Sequence, residues 1–127
     1  MRTNLLAFAV VAAALLATAS PISAHHAWQL DRSRLVTLKG TVTSFAFSNP
    51  HVQIYFEVKD DQGNIEKWVA GGASPNRLSR SGWTRDTLKP GDSITATGYR
   101  ARDGSNLLRF DSVALADGSA IGGYRGR

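Results

Sequence analysis

The strictest constraint on the fold is the alternation of apolar and polar residues in VQIYFEVK, residues 52–59. Every second position is apolar: Val52, Ile54, Phe56 and Val58. Successive side chains of a strand point to opposite faces, so the pattern predicts a strand with one face in a hydrophobic core. The Asn49-Pro50 pair just before it predicts a turn that separates this strand from an earlier one.

An earlier alternation, over residues 36–42, predicts a first strand whose phase changes before Phe45 and Phe47. A β-bulge near Thr43-Ser44 would return both aromatic rings to the core side. Gly40 lies inside the same strand and suits a sharp bend, as a small barrel requires. We therefore expect a long, bent strand at the start of the domain.

The remaining chain predicts one hairpin, one short helix and two more strands. DDQGN at residues 60–64 is typical of a hairpin turn that leads into a third strand at residues 65–70. Ser74 as N-cap and Pro75 at the first helical position predict a helix over residues 75–81. A fourth strand buries Ile94, Ala96 and Gly98, and a fifth covers residues 107–115. The glycine-rich tail from about residue 117 is expected to be loose.

Three strands, a short helix and two strands are the element order of an OB-fold. We predict a mainly β domain, a small five-stranded OB-like barrel with the helix between strands 3 and 4. An open β-sandwich is the alternative, although it would not need that helix. Bulky groups must close the ends of a small barrel, so Trp28, Trp68 and Trp83 are predicted to serve as lids and core plugs.

The first 24 residues have the pattern of a signal peptide. Arg2 precedes an unbroken apolar run over residues 5–16, which is too short for a membrane span, and small residues follow it. Cleavage fits after Ala19 or after Ala24. We expect an exported bacterial protein, periplasmic or secreted, with one domain over residues 25–127 and no membrane span after cleavage.

Composition excludes several kinds of chemistry. The chain has no cysteine, so disulfides and thiolate ligands are ruled out and any metal must be held by nitrogen and oxygen. Its formal charge of +5 falls to +4 without Arg2, which suits an anionic partner but falls short of a nucleic-acid signature. Because no nucleophile stands beside a base and no acid pair is evident, we expect that the protein is not an enzyme.

Four stretches together resemble a known family: HHAW, LKGTVTSFAFSNPHVQIYFEVKDDQGNIEKW, SPNRLSRSGWTRDTLKPGD and TGYRARDGSN. They are similar to the DUF6152-type family of small exported bacterial proteins, a domain of unknown function. The resemblance covers nearly all of residues 25–127 and implies an exported single domain without implying an activity. It also implies a difference: relatives often carry glutamate three residues after the third-strand tryptophan, where this chain has Gly71.

The three histidines are candidate ligands of a metal site. If the signal is cut after Ala24, His25 carries a free α-amine that can chelate one copper ion together with its own ring. His51, in the loop between the first two strands, would add a second imidazole, and His26 could serve instead. Nitrogen-rich ligation suits Cu(II), so copper is the candidate cofactor. The alternative is that the paired histidines form a polar lead-in and His51 only holds its own turn.

A second hypothesis needs no metal. Tyr55 should point outward when Ile54 points inward, and Arg77, Arg80 and Arg85 follow around the predicted helix. Exposed aromatic and basic residues on a barrel suit an interaction module for a protein or another envelope component, including an anionic ligand. Export argues against nucleic acid as the partner. A charge cluster of this kind is also common on a face that only meets water.

Overall fold

The alternating segment forms strand β2 at Gln53–Lys59, and its apolar side faces the core as predicted. Val52, Ile54 and Phe56 are at most 1% exposed. In this computed structural model, which describes residues 28–121, the five strands close in the order β1-β2-β3-β5-β4. The other strands are β1 (Val36–Ala46), β3 (Ile65–Gly71), β4 (Ser93–Arg100) and β5 (Leu107–Leu115). Closure confirms the predicted five-stranded OB-like barrel and excludes the open sandwich.

Strand β1 bends because it pairs with two partners in turn. Val36 to Thr41 pair with β4, and Thr41 to Ala46 pair with β2. The register shifts between Val42 and Ser44, which confirms the predicted bulge and returns Phe45 to the core side. A Cβ on Gly40 would lie 2.3 Å from the Glu57 carbonyl oxygen, so the bend needs glycine there.

The short helix α1 covers Pro75–Ser79 between β3 and β4. The Ser74 hydroxyl accepts a hydrogen bond from the Arg77 N–H, as the N-cap prediction requires. The helix ends earlier than the predicted residue 81, because the N–H groups of Ser81 and Trp83 both donate to the Leu78 carbonyl and close a turn. Leu78 is fully buried and ties the helix to the core.

Two of the three tryptophans are core residues. The Trp83 ring stacks on Phe110 with centroids 5.6 Å apart, and its Nε1 is buried without a hydrogen-bond partner among the described residues. Trp68 is also buried, but its Nε1 donates to Glu66 at 2.9 Å. The Arg100 guanidinium lies 4.8 Å from the centre of the Trp68 ring. Both tryptophans plug the barrel as the sequence predicted.

The chain after β5 differs from the expected loose tail. Gly118 donates to the Leu115 carbonyl, and Ile121 donates to the Val113 carbonyl, so residues 117–121 fold back along β5. The Asp117 carboxylate accepts hydrogen bonds from the N–H and hydroxyl of Ser119 and fixes the turn. The Ile121 side chain packs against the core. This apolar anchor corrects the expectation for residues 117–121, and residues 122–127 lie outside the described part.

We expect Trp83→Phe to destabilise the protein less than Trp68→Phe. Each substitution removes similar ring volume and leaves a cavity. Trp83→Phe also removes a buried N–H without a partner, which costs the native protein about 1–3 kcal/mol. Trp68→Phe instead loses the bond to Glu66 and weakens the contact with Arg100. Urea unfolding should separate the two free energies of unfolding by about 1–3 kcal/mol. An equal or larger loss for Trp83→Phe would contradict this account.

Candidate functional site

Two rows of side chains cross the outer surface of the barrel, with β2 and β3 near the middle of each row. The strand registers align the first row as Ser44, Tyr55, Val69 and Leu107. They align the second row as Ala46, Gln53, Gly71, Arg109 and Tyr99. We call these two rows the outer face. The corresponding surface of OB-type barrels, with the loops at its ends, is where such folds bind ligands.

Trp28 lies on the outer face rather than in the core. Gly71 belongs to the outward parity of β3, and a Cβ built on it would lie 2.6 Å from Cη2 and 2.7 Å from Cζ3 of Trp28. The far edge of the indole therefore rests where any other residue would have a side chain. Trp28 remains 36% exposed, so part of the ring stays open to solvent.

Backbone hydrogen bonds hold the segment that carries Trp28. Arg102 N–H donates to the Gln29 carbonyl at 2.7 Å, and Asp31 N–H donates to the Arg100 carbonyl at 2.9 Å. Leu30 forms an isolated antiparallel bridge with Ala101. Residues 29–31 thus add a short edge to the loop between β4 and β5, and they fix Trp28 against the barrel.

The same loop is held from inside by one arginine. Arg100 donates from Nε to the Ser105 carbonyl at 3.0 Å and from Nη2 to the Asn106 side chain at 2.9 Å, and it also bonds the Gly104 carbonyl. The Asp103 carboxylate accepts from the N–H and hydroxyl of Ser105, and these bonds hold its pKa below the usual range. The loop is therefore preorganised, with Asp103 ionised.

Tyr55 and Gln53 present polar groups beside Trp28. Tyr55 is 37% exposed, which confirms its predicted outward direction, and its hydroxyl donates to Gln53 Oε1 at 2.7 Å. This bond orients the Gln53 amide, so its two N–H donors remain to meet a ligand. Gln53 is the cross-strand partner of Gly71, on which Trp28 lies. The arrangement combines two exposed aromatic rings with an oriented amide.

The second row continues into charged residues. Arg109 is the cross-strand neighbour of both Gly71 and Tyr99. The Arg32 guanidinium lies 5.6 Å from the centre of the Tyr99 ring. Asp31, next to Arg32, accepts bonds from the hydroxyl and N–H of Ser33, which lower its pKa and keep it ionised. The row therefore ends in two arginines with Tyr99 between them.

The predicted metal ligands fall partly outside the described residues. His25 and His26 lie there, so their position is not established. His51 is exposed at the start of β2, beside Val52, whose N–H and carbonyl bond Ala73 and Gly72. Within residues 28–121, no group of three histidine, cysteine, aspartate or glutamate side chains is placed to hold a metal ion. The three-histidine site stays a prediction.

The predicted partner surface divides between two places. Tyr55 lies on the strand face, whereas Arg77 and Arg80 are exposed at α1 and Arg85 in the loop after it. Sequence reasoning missed Gln53, Arg109 and Trp28 as members of one surface. The outward direction of residues 53 and 55 in their strand indicated Gln53. Arg109 comes beside it only through the strand registers, and Trp28 only through its contact with Gly71.

A separate groove opens where β1 leaves β2 to pair with β4. It has a volume of about 540 Å³, and Lys39, Glu57, Lys59, Ile65 and Ser93 are among the residues that line it. Lys59 and Gln53 stand at opposite ends of β2, about 20 Å apart along the strand. The groove is therefore distinct from the outer face.

We expect Gly71→Ala to release Trp28 from the outer face, because the new Cβ would overlap the indole edge. Trp68 and Trp83 are buried, so iodide quenching of tryptophan fluorescence reports mainly on Trp28. The quenched fraction should rise in Gly71→Ala and stay unchanged in Lys67→Ala, a control on the same strand. Unchanged quenching in both variants would show that Trp28 is not held by Gly71.

The barrel is similar to that of the mitochondrial single-stranded DNA-binding protein Rim1 from S. cerevisiae. The identity is 9% over 65% of this chain and 93% of that one, with a TM-score of 0.50, which supports the OB-type fold and nothing finer. A small single-stranded DNA-binding protein from Streptomyces coelicolor matches at 14% identity over 65% of this chain and 91% of its own, with a TM-score of 0.48. TiaS, in a complex with a transfer RNA and ATP, matches at 18% identity over 71% of this chain and 20% of its own, with a TM-score of 0.45.

Three further findings complete the comparison. Among residues 28–121, no helix has the length and apolar character needed to cross a membrane. None of the curated proteins matches this chain. The model of a family of unknown function, DUF6152, matches residues 12–108, which is most of the sequence. This match confirms the resemblance, and the chain belongs to the DUF6152 family.

Proposed function

We propose that this protein is an exported binding module that takes its ligand on the outer face, beside Trp28. The observation that carries the proposal is the placement of Trp28 and Tyr55, the two exposed large aromatic side chains of the described residues, around one cross-strand pair, Gln53 and Gly71. Exposed aromatic rings with a polar end are typical of binding surfaces, where they bury large area at low entropic cost.

The residues of the outer face are already held in place by the barrel, and this favours binding. Tyr55 and Gln53 project from the centre of a closed sheet, so their backbone does not need to order when a ligand arrives. Trp28 is held by the bonds of residues 29–31 to the loop after β4. Small binding modules gain affinity when such groups are already in place, because less conformational entropy is lost on association.

The signal-peptide pattern of residues 1–24 supports export and a periplasmic or secreted location. An envelope component or an anionic ligand is therefore the partner we propose, and no catalytic role is assigned. The interaction hypothesis built on Tyr55 with Arg77, Arg80 and Arg85 stays a prediction for the three arginines. Rim1 is described as binding single-stranded DNA, so a DNA oligomer belongs among the probes although export disfavours nucleic acid.

We expect the amide chemical shifts of outer-face residues to change when the mature protein is titrated with a ligand of the class it binds. Four probes span the choices: hexagalacturonate, maltohexaose, a ten-residue oligo(dT) and Cu(II). At least one of the first three should shift Gln53, Val69 and Leu107 in ¹⁵N–¹H spectra, and Tyr55→Ala should weaken that binding about tenfold or more. Shifts confined to the part of the barrel where residues 36–41 of β1 pair with residues 93–98 of β4, or none with any of these three probes, would contradict the proposal.

A second candidate function is Cu(II) binding by histidines, and one observation favours it. Trp28 lies on Gly71, whose cross-strand partner Gln53 is two residues from His51. His25 is three residues before Trp28, and a chain spans at most about 3.6 Å per residue, so the peptide ties His25 within about 11 Å of Trp28. The covalent chain therefore allows an N-terminal amine and His51 to share one ion.

For the copper hypothesis, intact mass of the exported protein should give a mature N-terminus at His25. Cu(II) should then bind with one equivalent, and His51→Ala should weaken binding at least tenfold, because one imidazole is lost. The matched control is the same protein with its α-amine blocked by acetylation, which removes the amine chelate and should weaken binding as well. Equal, weak binding by all three proteins, or an N-terminus at Ser20, would contradict the site.

A further inference from the structure

One positively charged part of the surface borders the outer face. The N-terminal segment, the loop after β4 and the adjoining part of β5 carry five arginines and three aspartates: Arg32, Arg34, Arg100, Arg102, Arg109, Asp31, Asp103 and Asp111. Elsewhere in residues 28–121 the basic and acidic side chains are equal in number. This part therefore has an excess of two positive charges and borders the outer face, whereas the residues around α1 form a second basic region away from that face.

Within this part, Arg32 and Arg109 lie at the end of the second row. Besides the hydrogen bonds from Ser33, the charges that lower the pKa of Asp31 are those of Arg102 and Arg34. Arg100 is occupied by the loop it holds, as its bonds to Ser105 and Asn106 show. Arg32 is fixed over the Tyr99 ring, and Arg109 is the cross-strand neighbour of Tyr99. Among the described residues, neither arginine has a hydrogen bond or an ion pair with a carboxylate. A guanidinium over Tyr99 and a second one on the cross-strand neighbour of Tyr99 can share a single oxyanion.

The carboxylates near these arginines do not neutralise them. Asp31 and Asp103 accept hydrogen bonds from the serines two residues later, and the arginines whose charges act on their pKa values are Arg102, Arg34 and Arg100 rather than Arg32 or Arg109. Asp111 is the extra residue of the β5 bulge, where the register shifts between Thr97 and Gly98. Opposite charges that stay apart leave a positive potential at the end of the second row.

We propose that the ligand of the outer face is an acidic glycan whose carboxylate binds Arg32 and Arg109 while a sugar ring packs against Trp28 and Tyr55. This inference rests on the proposed function and adds the ligand class. Gly71 connects these groups along the second row, since it touches Trp28 and pairs with both Gln53 and Arg109, and Arg109 in turn pairs with Tyr99. The oriented Gln53 amide donates to a sugar hydroxyl in the same place.

The geometry favours a sugar over a single-stranded nucleic acid. Proteins that bind single strands stack successive bases on several aromatic faces. Here the Arg32 guanidinium covers one face of Tyr99, and the edge of Trp28 rests on Gly71, so no run of open rings follows the charged residues described in the structure. Acidic sugars need one ring contact, one oxyanion site and hydroxyl partners, and the outer face has each of these.

The test is isothermal titration of the mature protein with hexagalacturonate. The Arg32→Glu/Arg109→Glu variant should bind at least tenfold more weakly, because two favourable charges become repulsive. The matched control is Lys39→Glu/Lys59→Glu, which makes the same change of net charge at the separate groove and should stay within twofold of the native affinity. Circular dichroism checks folding, and Arg32→Gln and Arg109→Gln singly replace the double variant if it does not fold.

Three outcomes would overturn the inference. Equal losses in the two double variants would show attraction by net charge alone. Binding of oligo(dT) or maltohexaose to the outer face without binding of hexagalacturonate would refute the acidic glycan and leave the proposed function standing. Binding of hexagalacturonate that shifts only residues 36–41 of β1 and 93–98 of β4 would refute both. Loss of affinity in Arg109→Lys, which keeps the charge but not the planar fork, would further support oxyanion recognition by Arg109.

Discussion

The double pairing of β1 is the constraint on which the rest of the structure depends. Its first half bonds β4 and its second half bonds β2, so one strand closes the barrel at both sides. The bend requires Gly40, because the Glu57 carbonyl occupies the place of a side chain, and the bulge after Val42 keeps Phe45 in the core. Without both features, five short strands would leave open edges.

Closure also decides which residues become a site. A parallel pairing brings β3 beside β5, so Gly71 and Arg109, far apart in sequence, become neighbours. Gly71 leaves room on the outer face, and Trp28 enters it from a segment bonded to the loop between β4 and β5. A carboxylate side chain at residue 71 would exclude the indole.

The local patterns of the sequence were sufficient for the elements and their faces. Alternation predicted β2 and the outward direction of Tyr55, and the phase change before Phe45 predicted the bulge. The sequence was insufficient where the cause was long-range: Ile121 folds back because the core offers an apolar contact that no local pattern announces. The same limit hid Arg109 and Trp28, which only strand register and the contact with Gly71 place beside Gln53. The predictions for the glycine-rich tail and the basic helix rested on composition, which carries no information about which residues are neighbours in space.

The two candidate functions depend on Trp28 in different ways, and this separates them physically. The acidic-glycan site needs the indole as a contact and uses residues within 28–121 alone. The copper site needs Trp28 only as an anchor, because its first ligand is the amine that cleavage after Ala24 would create. A chain cut after Ala19 would lose that amine and keep Arg32, Arg109 and the two exposed rings. The position of signal cleavage therefore bears on metal binding and not on the outer face. The copper site combines His51 with ligands that precede Trp28, whereas Tyr55 and Gln53 can bind a ligand without those residues.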